Sequence, residues 1–473
     1  MKYGFLFGAG AEIAYNLPSG GRFALDIFRQ DTTAPKQIFK KKRENVNPTT
    51  VYAGQWLPKD YLGKNINTFG KSVFQNIIMS TVEHKRVQIV NKVNDFDTFA
   101  CSVAASMNIE GYDVDAAFFD LLGREVSNIR LDQVIAYNSF FENGNKLFEN
   151  NYFSALLLVY RDRKEPGNQI LGRILLSIMQ LQLGALSEDL SQTINDNLFL
   201  KKDEKIDLFD DFGELIKPNY SSAGVSGLDF LFEKHEIELN NSIDIIIRFA
   251  QLLMEDIYAS VLDYKSLIDT NWHYLYSPSS DWAKFCKIAV FLLTVRQYIA
   301  ELGENADKHN DDGYYNMLRK ALDEDKYEAS VIATTNYNTI IEEILGSIYP
   351  VTYLNGSVND WYDPYLNKVG TEAELDNDEH HITVPLIFTQ SGTKPMTSIS
   401  MSIKYVKMYQ EWKKSDSIVI VGFGFGSDDE HINGILRTLV NDDDKNLQVV
   451  TLKHNKSEVE EAKAVARKIK VTD

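Results

Sequence analysis

Residues 3–12 read Tyr3-Gly4-Phe5-Leu6-Phe7-Gly8-Ala9-Gly10-Ala11-Glu12, and the fold turns on them. The first five are a short apolar and aromatic run of strand character. Gly8-Ala9-Gly10 follows as a tight turn. Over residues 21–28 apolar side chains recur at helical spacing. Strand, tight turn and helix are the opening expected of an α/β domain that binds a nucleotide. Glycines there let backbone N–H groups approach a pyrophosphate, and a helix terminus favours the anion. A tight turn needs glycine on its own account, so the motif alone decides nothing.

The same alternation returns far along the chain. Residues 329–334 read as a buried strand and 337–348 as a helix. Residues 384–388 read as a strand and 398–413 as a helix. A continuous apolar strand of the doubly covered, parallel kind follows at 417–422. Helix, strand and helix close the chain at 431–440, 448–452 and 457–469. Between the two ends nearly everything is helical in period: Ile243, Ile246, Ile247, Ala250, Leu253, Met254, Ile257 and Val261 form one wide apolar stripe. The expectation is an α/β fold with a Rossmann-like parallel sheet interrupted by a large all-helical insertion. Residues 1–30 are its first part, 31–70 a loop or flap, 71–327 the insertion, and 328–473 the remainder.

The 473 residues carry a net charge of −18, and 44% of them are hydrophobic. That field repels phosphate backbones, so direct nucleic-acid binding is disfavoured. The exception is a basic run of Lys36, Lys40, Lys41, Lys42 and Arg43, which reads as a solvated loop. Two cysteines, Cys101 and Cys286, exclude a disulfide framework and fit a reducing cytoplasm. The first residues lack the charged and long apolar segments of a signal peptide. The most apolar helical run, 170–186, contains Arg173, Gln180 and Gln182 and reads as a core helix, so no membrane span is expected.

Four turns carry the chemistry. The first is Gly8-Ala9-Gly10-Ala11-Glu12, with Leu17-Pro18-Ser19-Gly20 completing its loop. The second is Thr334-Thr335-Asn336-Tyr337-Asn338, at a strand end, where ligands of open α/β sheets sit. Asn336 offers donor and acceptor atoms to a ribose, an amide or a water, or Thr335 or Asn336 only caps the helix. The third is Leu354-Asn355-Gly356-Ser357. The fourth runs Gly422-Phe423-Gly424-Phe425-Gly426-Ser427-Asp428-Asp429-Glu430-His431-Ile432, with acids that reach a ribose hydroxyl or cap a helix.

In order and spacing these four segments resemble the sirtuin-like set of the bacterial antiphage-defence sirtuins. The resemblance covers residues 1–30 and about 328–455. It implies a sirtuin-like Rossmann domain holding NAD, and hydrolysis of NAD to ADP-ribose and nicotinamide when triggered. On this resemblance Gly8, Ala9, Gly10, Ala11, Glu12, Pro18, Ser19, Thr335, Asn336, Asn338, Gly422, Phe423, Gly424 and Asp429 hold the dinucleotide. Asn336 orients ribose and water. The family histidine, a base, maps to Asn355, and the acid after T-T-N-Y maps to Asn338. The resemblance also implies a homo-oligomer and, in one subgroup, a HerA-type ATPase partner. No cysteine occurs at 358–394, where deacylating sirtuins carry a zinc ribbon, so no zinc is expected.

Asparagine has no proton to exchange near neutral pH. Another residue then supplies the base, or turnover is slow, or the protein binds NAD or ADP-ribose without cleaving it and serves as a scaffold or sensor. His381, with His380 beside it, is the foremost replacement, because the acidic stretch around it would hold its proton. Glu12 is the other ionisable group nearby, its carboxylate acting on the ribose or capping the helix, while His431 reads as orienting its own helix.

Overall fold

β1 (Lys2–Phe7) lies in the middle of a five-stranded sheet of order β3-β2-β1-β7-β8. Its partners come from the far end of the chain: β2 (Glu328–Thr334), β3 (Val351–Tyr353), β7 (Ser417–Val421) and β8 (Asn446–Val450). Every pairing is parallel; Phe7 stands beside Thr334 on one side and Val421 on the other. This is the α/β, Rossmann-like arrangement expected from the sequence, with the order reversing between β1 and β7.

The computed structural model describes residues 1–18, 20–70, 76, 84–109, 111–129, 146–162, 167–186, 231–232, 237–261, 271–387, 398–426, 429–450 and 457–471. Side chains alternate across β1 as the pleat requires. Phe5 and Phe7 join Tyr315, Leu318, Ile340, Ile341 and Tyr353 on one face. Leu6 joins Tyr405, Met408, Trp412, Ile432 and Leu436 on the other. Helices Tyr314–Asp323 and Ile340–Leu345 thus cover the first face, and Ile399–Lys413 and Glu430–Asn441 the second. Gly4 lets Trp412 lie against the strand, since a Cβ there would be 2.3 Å from its ring.

The chain divides into two compact units. The first comprises Met1–Phe23, Gln30–Phe69 and Tyr264–Asp473, and contains the sheet. The second comprises Ala24–Arg29 and Gly70–Asp263 and is helical. Helices Phe96–Ile109, Val114–Leu122, Asn151–Asp162 and Ser242–Val261 bury Phe96, Phe118, Phe153, Phe249 and Ile246 in its core. Asp97 accepts from the backbone N–H groups of Asn151 and Tyr152 at 2.8 and 2.9 Å, neutralising the helix start. The second unit ends well before residue 327, because the helices Trp282–Glu304 and Tyr314–Asp323 belong to the sheet-bearing unit.

Two local expectations need correction. Residues 31–70 are not one loop: Thr33–Asn45 is a helix, with Pro35 in its first turn, where no donor is lost. Phe39 anchors it against Trp282 and Phe285, and the basic run lies on it. Lys42 pairs with Glu372 and lies 4.2 Å over the Trp361 ring, while buried Arg43 donates to the Lys64 carbonyl at 2.7 Å. Val384–Pro385 is β6 of a separate antiparallel sheet with β4 (Trp361–Asp363) and β5 (Lys368–Gly370), not a strand of the parallel one. The acidic stretch includes a helical turn, Glu372–Leu375, closed by a Thr371–Glu374 capping box. No helix among the described residues is long and apolar enough to cross a membrane.

Candidate functional site

A cleft of about 380 Å³ opens at the carboxyl ends of β1, β2, β3 and β7, where the strand order reverses. Ligands of open α/β sheets bind at that place, in sites of about 300–1,000 Å³. Ala9, Glu12 and Pro18 line it after β1, Thr335, Asn336, Tyr337 and Asn338 after β2, and Asn355 after β3. Gly422, Phe423, Gly424, Gly426 and Asp429 line it after β7. Four turns widely separated in sequence therefore meet at one site. Ser19 lies outside the described residues, as do residues 427–428.

Gly8, Gly10 and Ala11 are not on the lining; they build the wall behind it. A Cβ on Gly8 would be 2.7 Å from the Gly422 carbonyl oxygen, and one on Gly10 2.8 Å from the Gly422 Cα. Gly422 has φ +64°, and a Cβ there would be 2.1 Å from the Ala11 nitrogen. The Gly8 and Gly10 amides donate across this seam to Val421 and Gly422, both at 2.9 Å, and Ala11 donates to Gly8. Their hydrogens are thus used within the protein, which corrects the expectation that they face a pyrophosphate. Close packing of two turns is what these glycines provide. The segment that follows is a 3₁₀ helix, Ala9–Tyr15, ended by Asn16 at φ 65°.

Glu12 is 5% exposed. Tyr315 donates to its Oε1 at 3.0 Å and Asn338 Nδ2 to its Oε2 at 2.6 Å. Burial pushes its carboxyl up from 4.5 to about 7, against the lowering effect of the Asn338, Tyr315 and Asn336 hydrogen bonds. Asn336 Nδ2 donates to the Gly8 carbonyl and to the Tyr315 hydroxyl, each at 3.1 Å, tying β2 to β1. Asn338 Oδ1 also accepts from the Ile340 N–H at 3.1 Å, at the start of the helix Ile340–Leu345, whose N-cap position is Thr339. Asn338 thus joins Glu12 to the start of the helix that follows its own turn.

Asn355 is held by one bond, Nδ2 to the Thr335 carbonyl at 3.3 Å. Its Oδ1 is buried and has no partner. An orphaned acceptor is costly unless a ligand donor completes it, and Asn355 is on the cleft wall. The charged side chains on the lining are Glu12 and Asp429, both acids. Leu17, Phe23, Ile299 and Leu302 supply an apolar side.

His381 is not on this lining. It lies in a second cleft beside Lys42, Glu372 and Asp376. Its Nδ1 is 2.7 Å from Asp363 Oδ2, its Nε2 2.7 Å from Glu379 Oε2, and its ring packs on Tyr52 with centroids 4.2 Å apart. Its acidic neighbours hold it beside the antiparallel sheet, away from the strand-end cleft. His431 meets the Tyr405 hydroxyl at 3.1 Å, and that hydroxyl donates to the Leu354 carbonyl at 2.8 Å, tying the fourth turn to the third. Among the described residues no group of three or more His, Cys, Asp or Glu is placed to hold a metal ion.

Sequence reasoning missed Phe23, Leu302 and Tyr315, and placed Ile299 in the helical insertion. The helical periodicity around Ile299 was visible; its destination was not. No protein-family model, curated protein or solved structure matches the chain.

Proposed function

We propose that the chain binds NAD in the strand-end cleft and hydrolyses it to ADP-ribose and nicotinamide, with Glu12 as the base. One juxtaposition supports this reading: a buried carboxyl pushed up to about 7 on the wall of a cleft that asparagines, glycines, apolar groups and a second acid, Asp429, also line. A general base works best with a pKa near the working pH. Departure of nicotinamide leaves positive charge on the ribosyl carbon, which a neighbouring carboxylate stabilises. Water then attacks, its proton passes to Glu12, and the products are ADP-ribose, nicotinamide and a released proton. Asn336, whose Nδ2 is held by the Gly8 carbonyl and the Tyr315 hydroxyl, would position ribose and water, and Asn355 Oδ1 would take a ribose hydroxyl.

The resemblance to defence sirtuins extends the proposal to a triggered, cytoplasmic antiphage effector. It acts there as a homo-oligomer, with a HerA-type ATPase as partner in one subgroup. A second reading, a subunit that binds NAD or ADP-ribose without turnover, is favoured by one observation. Both Glu12 oxygens already accept hydrogen bonds from the protein. Incubation with NAD, alone and with lysate of infected cells, separates the two. Nicotinamide release that Asn336→Ala abolishes supports hydrolysis. NAD binding without release in either condition supports the binding subunit, and no binding at all refutes both.

A further inference from the structure

Tyr315 belongs to none of the four turns. It sits on the helix Tyr314–Asp323, fully buried, 303 positions from the carboxylate it meets. Its hydroxyl donates to Glu12 Oε1 at 3.0 Å and accepts from Asn336 Nδ2 at 3.1 Å. One phenol therefore joins the acid that follows β1 to the asparagine that follows β2. Its ring stacks on Tyr15 with centroids 5.1 Å apart and meets Phe7 edge-on at 5.1 Å. Its backbone N–H donates to the Tyr15 hydroxyl at 2.8 Å. A side chain pinned on three sides holds its partner in a fixed place. Tyr315 is not on the cleft lining, so it acts through Glu12.

We propose that Tyr315 is the positioning residue of this site: its hydroxyl fixes Glu12 Oε1, steadies the carboxylate, and leaves the remaining lone pairs of that group to the ribosyl end of the ligand. The inference rests on the reading of the cleft as an NAD-cleaving site. A donor to a carboxylate favours its ionised form, so removing the hydroxyl lets burial push Glu12 above about 7. The titratable groups facing Glu12 are the phenols of Tyr315, Tyr15 on the 3₁₀ helix and Tyr353 on β3. Burial raises all three, which keeps them neutral near pH 7. Asp429 is the other acid on the cleft wall.

The test is the pH profile of nicotinamide release by the full chain and by Tyr315→Phe. Loss of the hydroxyl is expected to move the acid limb up by about one pH unit. The variant is then about five-fold slower near pH 7 and equal to the parent near pH 9, with KM for NAD unchanged. A loss of equal size at every pH, or a raised KM with no shifted limb, would overturn the proposal. If Tyr315→Phe does not fold, replacing Tyr315 by 3-fluorotyrosine keeps the packing and, as a stronger donor, should move the limb down; an unmoved limb is contrary. If the parent releases no nicotinamide, the reading of the cleft fails by itself. The positioning role is then judged from the carbon-13 titration of the Glu12 carboxyl. A midpoint raised in Tyr315→Phe supports it, and an unmoved midpoint overturns it.

Discussion

Glu12 destabilises the fold in a way that depends on pH. Its carboxyl sits at about 7 in the folded protein against 4.5 in the unfolded chain, so the folded state keeps a proton the unfolded state releases. The stability this group contributes is complete below about pH 4.5 and is lost as pH rises through 7. The gap is worth about 3 kcal/mol. Glu12→Gln cannot ionise, so it should gain on the parent by about 3 kcal/mol near pH 8 and by less than about 1 kcal/mol near pH 5. Guanidinium melts at the two pH values check this; the same difference at both would mean that Glu12 is not held near neutrality. Such a cost is common where a group is kept for chemistry. Glu12, Asn336, Asn338 and Asn355 were legible in the sequence because each sits within a turn signal at a strand end. Tyr315 was not, since nothing local distinguishes a helical tyrosine whose partner lies 303 positions away. His381 misled for a physical reason. Acids beside a histidine occur equally well in a catalytic cleft and in a packed wall, and Asp363 and Glu379 meet His381 in the wall.

The elements of the site differ in what their glycines do. Gly8 and Gly422 allow the turns after β1 and β7 to touch backbone to backbone. Gly8→Ala and Gly422→Ala should each cost more than about 2 kcal/mol, because the crowding atoms are backbone and Gly422 also has a positive φ. Gly424 is different: a Cβ there meets nothing within 4 Å, though the residue lines the cleft. Gly424→Ala should leave the melting temperature within a degree or two of the parent, on the order of 0.5 kcal/mol, and weaken NAD binding. Equal melting losses in all three variants would contradict this division. At this scale the parallel strands and their helices were legible from runs of apolar residues. The helix Thr33–Asn45 was not, as its lysines and Pro35 resemble a loop and its stability comes from Phe39 packing on Trp282 and Phe285. Nor does the short apolar run at Val384–Pro385 state which sheet it joins.

Across the whole molecule, the sheet is closed by a strand from the first seven residues inserted between two from the last 150. β1 pairs along its length with β2 and β7, so it cannot leave without breaking the core on both faces. Amides of Phe5, Leu6 and Phe7 should therefore exchange with the same opening free energy as those of Ile332 and Val419. Faster, independent exchange of β1 would contradict a single cooperative sheet. The alternation of strand and helix at both ends made this union legible. The boundary at Asp263 was not, because helices that cover a sheet and helices that pack on one another share one periodicity. We propose that the Glu12 carboxyl, pushed up to about 7 by burial, drives cleavage of NAD in the strand-end cleft. Nicotinamide release followed from about pH 5 to 9 in the triggered parent and in Glu12→Gln tests it most directly. The account predicts a rate that rises with a midpoint near 7 in the parent and is at least about 100-fold lower, without that limb, in the variant. An unchanged limb and rate in Glu12→Gln would contradict it.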